Sequence, residues 1–218
     1  MIGIISDIHG NYLALLDSID KLRKRGVDTI YCLGDILGYI PLEKEVINII
    51  KQENIHCIMG NHEAMVCNKI PITGNKSIHG LYEVRSRLSL EDINWICNWP
   101  IKLELENNSI LLVHGSPFDE INEYIYFKDK VRELLNCGYK VIFMGHTHNS
   151  YIYEEQTCTL VNVGSIGLPR DKNPCCVVYD KNKGAEIINV TYNKYQLIEL
   201  AEKAGSLHYV VKELILNG

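Results

Sequence analysis

The chain has 218 residues, and 22 Lys and Arg against 27 Asp and Glu give a formal net charge of −5. With 46% hydrophobic and 22% charged residues it is an ordinary globular composition, which excludes a disordered, collagen-like or fibrous chain and leads us to expect one domain over residues 1–218. The acidic balance also argues against general nucleic-acid binding, because that needs a basic face to displace counterions.

Strand-like and helix-like patterns alternate through the first part of the chain. Residues 2–6 read as a strand, and residues 11–25 as a helix with Leu13, Leu16, Ile19 and Leu22 on one face, closed by Gly26. A second strand covers 29–33. Pro41 suits the first position of a helix that carries Val46, Ile47 and Ile50. A third strand at 57–59 precedes an irregular stretch, 64–88, which contains Pro71, Gly74 and Gly80. Ser89 and Asp92 have capping-box spacing for a short helix that stops before Pro100. Strands at 101–106 and 109–114 flank a turn at Asn107 and Asn108. A helix is expected over 121–136, and a strand over 141–144. After residue 150 the pattern changes to strands at 151–155, 158–163, 175–180 and 185–192, then helices at 194–204 and 206–216. No repeat or low-complexity linker divides the chain.

No apolar run approaches the length of a membrane span. The first apolar run leads straight into Asp7 and His9 with no basic leader or cleavage-type residues, so a cytoplasmic protein is expected. The eight cysteines (32, 57, 67, 97, 137, 158, 175 and 176) show no CxxC spacing and mostly fall in apolar runs. Reduced, buried thiols are therefore expected. Cys175 and Cys176 on one strand should point to opposite faces, and the sequons at Asn75, Asn107 and Asn189 carry no weight in that setting.

The unusual residues fall where strands end. The first strand runs into Asp7 and His9, the second into Asp35, and the third into Asn61, His62 and Glu63. A fourth ends at His114 and a fifth at His146 and His148. Carboxyl ends of strands in open α/β sheets gather at one edge, where ligands bind. Histidine with carboxylate is the ligand set of zinc, manganese and iron. His146 and His148 can face one cleft and reach two ions about 3.5–4 Å apart, and Asp35, alone on its strand end, is the natural bridging carboxylate. Two divalent ions against Asp7 and Asp35 leave the cleft net positive, which suits phosphate. Each element alone has an ordinary structural explanation; together and in this order they point to a binuclear metallohydrolase. His56, His79 and His208 lie outside the pattern, although His79 could line a cleft.

These motifs resemble the calcineurin-like metallophosphoesterase family, whose signature is DxH, GDxxG, GNH[DE], H and GHxH. Here they are Asp7 with His9, Gly34 to Gly38, Gly60 to Glu63, His114, and Gly145 to His148. The resemblance implies a four-layer α/β/β/α sandwich of two mixed β-sheets flanked by helices. It also implies two divalent transition-metal ions, manganese first, with iron, zinc, nickel or cobalt as alternatives. One ion would take Asp7, His9, Asp35 and His148, and the second Asp35, Asn61, His114 and His146. His62 would contact the phosphate or protonate the leaving oxygen at its ordinary pKa, and Glu63 would orient its neighbours. A hydroxide bridging the ions would attack phosphorus in line, with Asp35 and His62 as the catalytic pair.

Two features bear on substrate. The segment from Gly34 to Tyr39 lacks the Asp-Arg pair that binds phosphate in Ser/Thr protein phosphatases. The segment from Asn162 to Arg170 resembles the Gly-Ser loop of small prokaryotic phosphodiesterases, which would place Ser165 or Arg170 near the substrate; otherwise it is a Gly/Pro turn. The expected activity is hydrolysis of small phosphodiesters, with monoesters as a side reaction. A bis-nucleoside polyphosphate or nucleotide hydrolase, a protein phosphatase and a non-catalytic scaffold are the alternatives. Neither membrane nor general nucleic acid is expected as a partner. Tyr39, Arg85, Arg87 and Tyr124 are candidate cleft-wall residues, and Gly74 to Ser77 is only a near miss to a phosphate-binding Walker loop.

Overall fold

Period-two alternation assigns each strand's two faces to different layers. In strand β1 (Ile2–Ile5), Ile5 enters a core under helices while Ile4 enters a core between two sheets. Later strands repeat the division. Ile110 and Leu112 face the inter-sheet core, and Leu111 and Val113 face outward to a further cluster with Ile142 and Met144. The computed structural model describes residues 1–107, 109–171 and 173–217, apart from the side chain of Lys76. Asn108, half of the expected turn, lies outside the described residues.

Helix α1 (Tyr12–Lys24) follows β1, capped by the Asn11 side chain, which accepts from the Ala14 N–H at 3.0 Å. Strand β2 (Thr29–Cys32), helix α2 (Glu43–Gln52) and strand β3 (His56–Cys57) come next. Pro41 sits two residues ahead of α2 rather than at its first position. Helices α3 (Asn61–Val66), α4 (Lys76–His79), α5 (Leu81–Arg87) and α6 (Leu90–Cys97) then cross the stretch between the two sheets. The irregular segment expected at 64–88 is therefore largely helical. Its helices are too short for a periodic signature, and they are held by burial of Ala64, Met65, Val66, Leu81 and Val84 in the core under α1 and α2.

Strands β4 (Lys102–Leu105) and β5 (Ile110–Val113), helix α7 (Val131–Leu135), and strands β6 (Val141–Met144), β7 (Ser150–Glu154), β8 (Thr159–Val163), β9 (Cys175–Asp180) and β10 (Gly184–Asn189) follow. The helix expected over 121–136 shrinks to α7. Ahead of it, the Ser116, Asp119 and Asp129 side chains accept from nearby backbone N–H groups and hold turns instead. Helices α8 (Lys194–Ala204) and α9 (Tyr209–Asn217) end the chain, and their apolar faces meet Ile40, Leu42 and Leu168.

Among the described residues the strands form two five-stranded mixed sheets, in orders β10-β9-β1-β2-β3 and β4-β5-β6-β8-β7. Strands β1, β2 and β3 are parallel, as are β5, β6 and β8. The sheets face each other across Ile4, Leu33, Phe143, Val161 and Val177, with helices outside. This is the expected α/β/β/α arrangement. Phe143 is fully buried between the sheets, and its truncation to Ala would cost about 3–5 kcal/mol. The carboxyl ends of both parallel sets open on one rim.

One cysteine expectation fails. Cys67, the C-cap of α3, and Cys97, the last residue of α6, form a disulfide. Two helix ends 30 residues apart meet, a juxtaposition that sequence spacing does not reveal. The remaining six cysteines are free, all buried except the half-buried Cys137. No helix among the described residues is long and apolar enough to cross a membrane.

Candidate metal centre

Asp7 and His9 follow β1, Asp35 follows β2, and Asn61 and His62 open α3 just after β3. His114 follows β5, and His146 and His148 follow β6. All eight are buried, none more than 8% exposed. Asp7, His9, Asp35, His146 and His148 all have left-handed backbone, with φ between 48° and 65°. Each such residue costs on the order of 1 kcal/mol or more, and persists only where the surroundings hold it. Here the Asp7 and His9 N–H groups donate to Gly34 O and Asp35 O, both at 3.0 Å. The turned backbone lets Asp7 and His9 converge from positions two apart in the chain. Glycine permits a close approach here: a Cβ on Gly60 would lie 2.2 Å from Asp35 Oδ1.

Backbone carbonyls set the histidine tautomers. Nδ1 of His9 and of His62 donates to Leu37 O, at 3.1 and 2.9 Å. Nδ1 of His114 donates to Leu33 O at 2.8 Å, and that of His148 to Leu168 O at 2.6 Å. Carbonyls only accept, so in these four rings Nε2 is the atom left with a lone pair facing the centre. His146 is reversed: its Nε2 donates to Asn122 O at 3.2 Å, leaving Nδ1 inward.

Acceptors consequently face acceptors. His9 Nε2 lies 3.1 Å from His148 Nε2, and His114 Nε2 lies 3.1 Å from His146 Nδ1. Asn61 Oδ1 is 3.0 Å from His114 Nε2. Asp7 Oδ1 is buried without a hydrogen-bond partner, 3.2 Å from His148 Nε2 and 3.9 Å from His9 Nε2. Asp35 Oδ2 sits between the two groups, 3.5 Å from His114 Nε2 and 4.0 Å from His9 Nε2. His62 Nε2 is also 3.9 Å from Asp35 Oδ2. Donor atoms of Asp7, His9 and His148 lie within 4.8 Å of one another, as do those of Asp35, His114 and His146, and of His9, Asp35 and His62. Buried lone pairs converging without a proton between them are unfavourable alone and favourable around a cation. The donor set fits divalent transition metals.

Electrostatics agree. Burial drives Asp35 well above the usual carboxylate range, reinforced by the charges of Glu63 and Asp7. Burial also lowers His114, lowers His9 and His62 well below their ordinary value, and pushes His146 down to about 3. Burial thus favours the neutral form of those four rings and disfavours an uncompensated Asp35 carboxylate, a setting that suits a cation.

The family model for the calcineurin-like phosphoesterase superfamily domain matches residues 1–184. The chain belongs to that superfamily. An uncharacterized protein of Methanocaldococcus jannaschii is 29% identical over 240 residues, covering 100% of this chain and 98% of that protein. Two solved structures share the fold. A metallophosphoesterase from Sphaerobacter thermophilus has a TM-score of 0.84 at 22% identity, covering 99% of this chain and 98% of that one. A hypothetical protein from Pyrococcus horikoshii gives 0.82 at 20% identity, with the same coverage. Members of this superfamily are metal-dependent phosphoesterases, and the clusters here are able to hold metal.

Within this phosphoesterase frame the eight residues singled out from sequence come together, and Glu63 lies behind them. Its carboxylate accepts from the N–H groups of Asp35 (2.7 Å), Ile36 (2.9 Å), Leu37 (3.2 Å) and Gly60 (3.0 Å). Two corrections follow. His62 does not keep an ordinary pKa, because burial and the neighbouring His79 lower it. Ser165 is not free for substrate: its hydroxyl donates to Asp7 O at 2.7 Å and accepts from Gly167 N and Leu168 N. It ties the 164–170 loop to Asp7, while Leu168 O of that loop orients His148. Arg85 donates to Val66 O, and Arg87 pairs with the buried Glu43, so both guanidinium groups are engaged by the protein itself. Tyr39, Tyr124 and His79 do line the rim: Tyr39 packs against His9 and His62, Tyr124 against His146, and His79 against Tyr39 and His62. His56 and His208 contact Tyr31 and Tyr209 instead. The orienting acceptors, Leu33 O, Leu37 O, Asn122 O and Leu168 O, are main-chain atoms for which the sequence has no side-chain signal.

Proposed function

We propose that the protein is a phosphodiesterase with side activity on monoesters, that it works with two divalent transition-metal ions, manganese first, and that residues 1–218 act as one unit on a small phosphoester. The observation that carries this reading is the pair of inward-facing lone-pair clusters sharing Asp35. Asp7, His9, Asp35 and His148 would hold one ion, and Asp35, Asn61, His114 and His146 the other. When bound, the ions supply Lewis-acid charge to the phosphoryl group and to the water that attacks it.

The chain's own residues supply the rest. Asp35 fixes the relation of the two clusters, and Glu63 fixes Asp35 through the backbone. Asn61 contributes an uncharged oxygen, which leaves its side of the centre more electrophilic than a third carboxylate would. His62 presents Nε2 with Nδ1 locked on Leu37 O, and Tyr39 lies nearly parallel to its ring at 14° and 5.3 Å between centroids. His62 is neutral in the free protein. An arriving phosphate anion raises its pKa, and the proton it then carries on Nε2 passes to the leaving oxygen. The lack of an arginine between Gly34 and Gly38 disfavours phosphoprotein substrates.

The test is metal analysis of the purified chain together with turnover of a model diester, a model monoester and diadenosine tetraphosphate. Diester hydrolysis dependent on added Mn²⁺, and lost in Asp35→Asn and His62→Gln, is expected. Full activity in metal-free protein or in Asp35→Asn would reject the reading. Preference for diadenosine tetraphosphate would move the substrate class to nucleotides.

A further inference from the structure

The segment ahead of α7 exposes side chains that a chain ordinarily buries. Phe118, Tyr124, Tyr126 and Phe127 are each between 44% and 53% exposed, although the chain has only three phenylalanines to spend on its core. The two phenylalanines are covered by neighbours. Lys130 lies over Phe118 at 5.7 Å, and Phe127 stands edge-on to Tyr151 and Tyr153 with Lys128 over its ring. Tyr124 and Tyr126 are held differently. Between them Ile125 is buried in the outer core of the second sheet, and its carbonyl accepts from the Tyr151 hydroxyl at 3.1 Å. With that residue turned inward, alternation sends its two neighbours to one outer side, about 6–7 Å apart. Their rings are 6.2 Å apart and within 9° of parallel. The Tyr126 N–H donates to Asp129 Oδ2 at 3.0 Å, which fixes the backbone of the outer ring. Tyr124 lies 3.8 Å from the His146 ring, tilted by 32°. The row His146, Tyr124, Tyr126 therefore leads from the metal-capable centre to solvent.

Flat faces set in place by a buried residue between them lose little freedom when another flat group stacks on them. Every nucleobase has such a face. A nucleotide holds its base one sugar away from phosphorus, just as this row stands beside the centre. A polynucleotide fits poorly, because residues 118–130 carry four acidic side chains against two lysines. We infer that Tyr124 and Tyr126 form a platform on which the base of a single nucleoside phosphodiester stacks while its phosphorus lies at the centre. The inference rests on the phosphoesterase reading above and names its substrate class.

Tyr126 is the position to vary first, since the ring contact with His146 is made by Tyr124. The experiment uses the full chain loaded with Mn²⁺, as wild type, Tyr126→Leu, Tyr126→Trp and Tyr124→Leu. Two substrates share one leaving group, the p-nitrophenyl ester of thymidine monophosphate and methyl p-nitrophenyl phosphate, so only the nucleoside differs. Adenosine monophosphate is the calorimetric binding probe, and metal content and oligomeric state are measured in parallel. Wild type should favour the thymidine ester. Tyr126→Leu should cut kcat/KM for that ester about fivefold to a hundredfold, the range for loss of one base–aromatic stack. Its metal content and its turnover of the methyl ester should stay within about twofold of wild type, well below that range. Tyr126→Trp should keep the preference for the nucleoside, and Tyr124→Leu should lose at least as much of it as Tyr126→Leu. If Tyr126→Leu lowers both substrates alike, or neither, the inference is overturned and the phosphoesterase reading stands. A dimer that dissociates in Tyr126→Leu also overturns it, because a second copy then covers the rings. If wild type shows no metal-dependent turnover, that reading falls; Tyr126-dependent binding of adenosine monophosphate then upholds the platform, and absence of binding overturns the platform as well.

Discussion

The two sheets bring their histidines to one centre but brace them differently. On the first-sheet side, the backbone around Asp35 hangs on the buried Glu63, and His9 and His62 both lean on Leu37 O. Helix α3, which carries Asn61 and His62, is tied at its far end to α6 by the Cys67–Cys97 disulfide. On the second-sheet side, His146 leans on Asn122, in an exposed turn-rich segment held by the Asp119 side chain. Tyr124 stacks on His146 from that segment, yet Phe118, Tyr124, Tyr126 and Phe127 there are all exposed. The lesson is that the centre has one half fixed by buried polar contacts and another half supported by a turn that solvent can reach.

Removing the fastening of the first half should have the largest effect. Glu63→Gln puts an amide NH₂ among four backbone N–H donors and leaves some unpaired in a site that excludes water. A loss of about 3–5 kcal/mol is expected, as for breaking a buried polar network. In a chain of this size that is a fall of roughly 6–20 °C in the melting temperature of the metal-free protein. A change below about 1 kcal/mol would mean that packing alone positions Asp35.

Next in size is the disulfide. Closing a 30-residue loop removes unfolded-state entropy equivalent to about 3–4 kcal/mol. Reductant, or Cys97→Ala, should lower the unfolding midpoint accordingly and leave the second-sheet histidines in place. An unchanged midpoint would assign the rigidity of α3 to its buried Ala64, Met65 and Val66 rather than to the cross-link.

These fastenings also mark what could and could not be read from the sequence. All the strands were legible to within two or three residues at either end, because continuous apolar runs in segments such as 109–114 and 141–144 report two buried faces. The site was legible because its side chains are chemically unusual for strand ends. Helices α3 to α5 were not, since none is long enough to repeat a period. Nor was the pairing of Cys67 with Cys97, which depends on where α6 docks. The left-handed backbone at five site residues left no trace, because Asp and His at φ near +50° look like any others in sequence. Ser165 was read toward substrate on its neighbours' resemblance, whereas its three hydrogen bonds make it part of the frame.

Acid loosens the second half by a smaller amount. The unfolded His146 takes up a proton near pH 6.5, and the folded one only near pH 3. Below pH 6.5 the unfolded state therefore binds more protons, and the stability this ring contributes is complete above that pH and shrinks as pH falls. At pH 5.5 the loss from this ring alone is about 1.4 kcal/mol. Denaturant unfolding of metal-free protein at pH 7.5 and 5.5 should show at least that decrease, and His146→Gln should remove its own share. Equal pH dependence in wild type and variant would place the titration elsewhere.

The smallest effect expected tests the open half directly. Asp119 Oδ1 accepts from Ile121 N at 3.1 Å and Asn122 N at 2.9 Å, so Asp119→Ala frees the turn that presents Asn122 O to His146 Nε2. Losing such an orienting contact costs about 10–100-fold in metal affinity when the partner itself is removed. Here the carbonyl remains and only its position loosens, so about tenfold is expected. The loss should fall on the ion proposed for Asp35, Asn61, His114 and His146. His148, braced by Leu168 O within a loop that Ser165 pins to Asp7, should keep the other ion's affinity unchanged. Stepwise competition with a chelator would resolve the two proposed ions. Equal weakening of both would show that Asp35 couples the halves so tightly that the difference in bracing has no thermodynamic consequence.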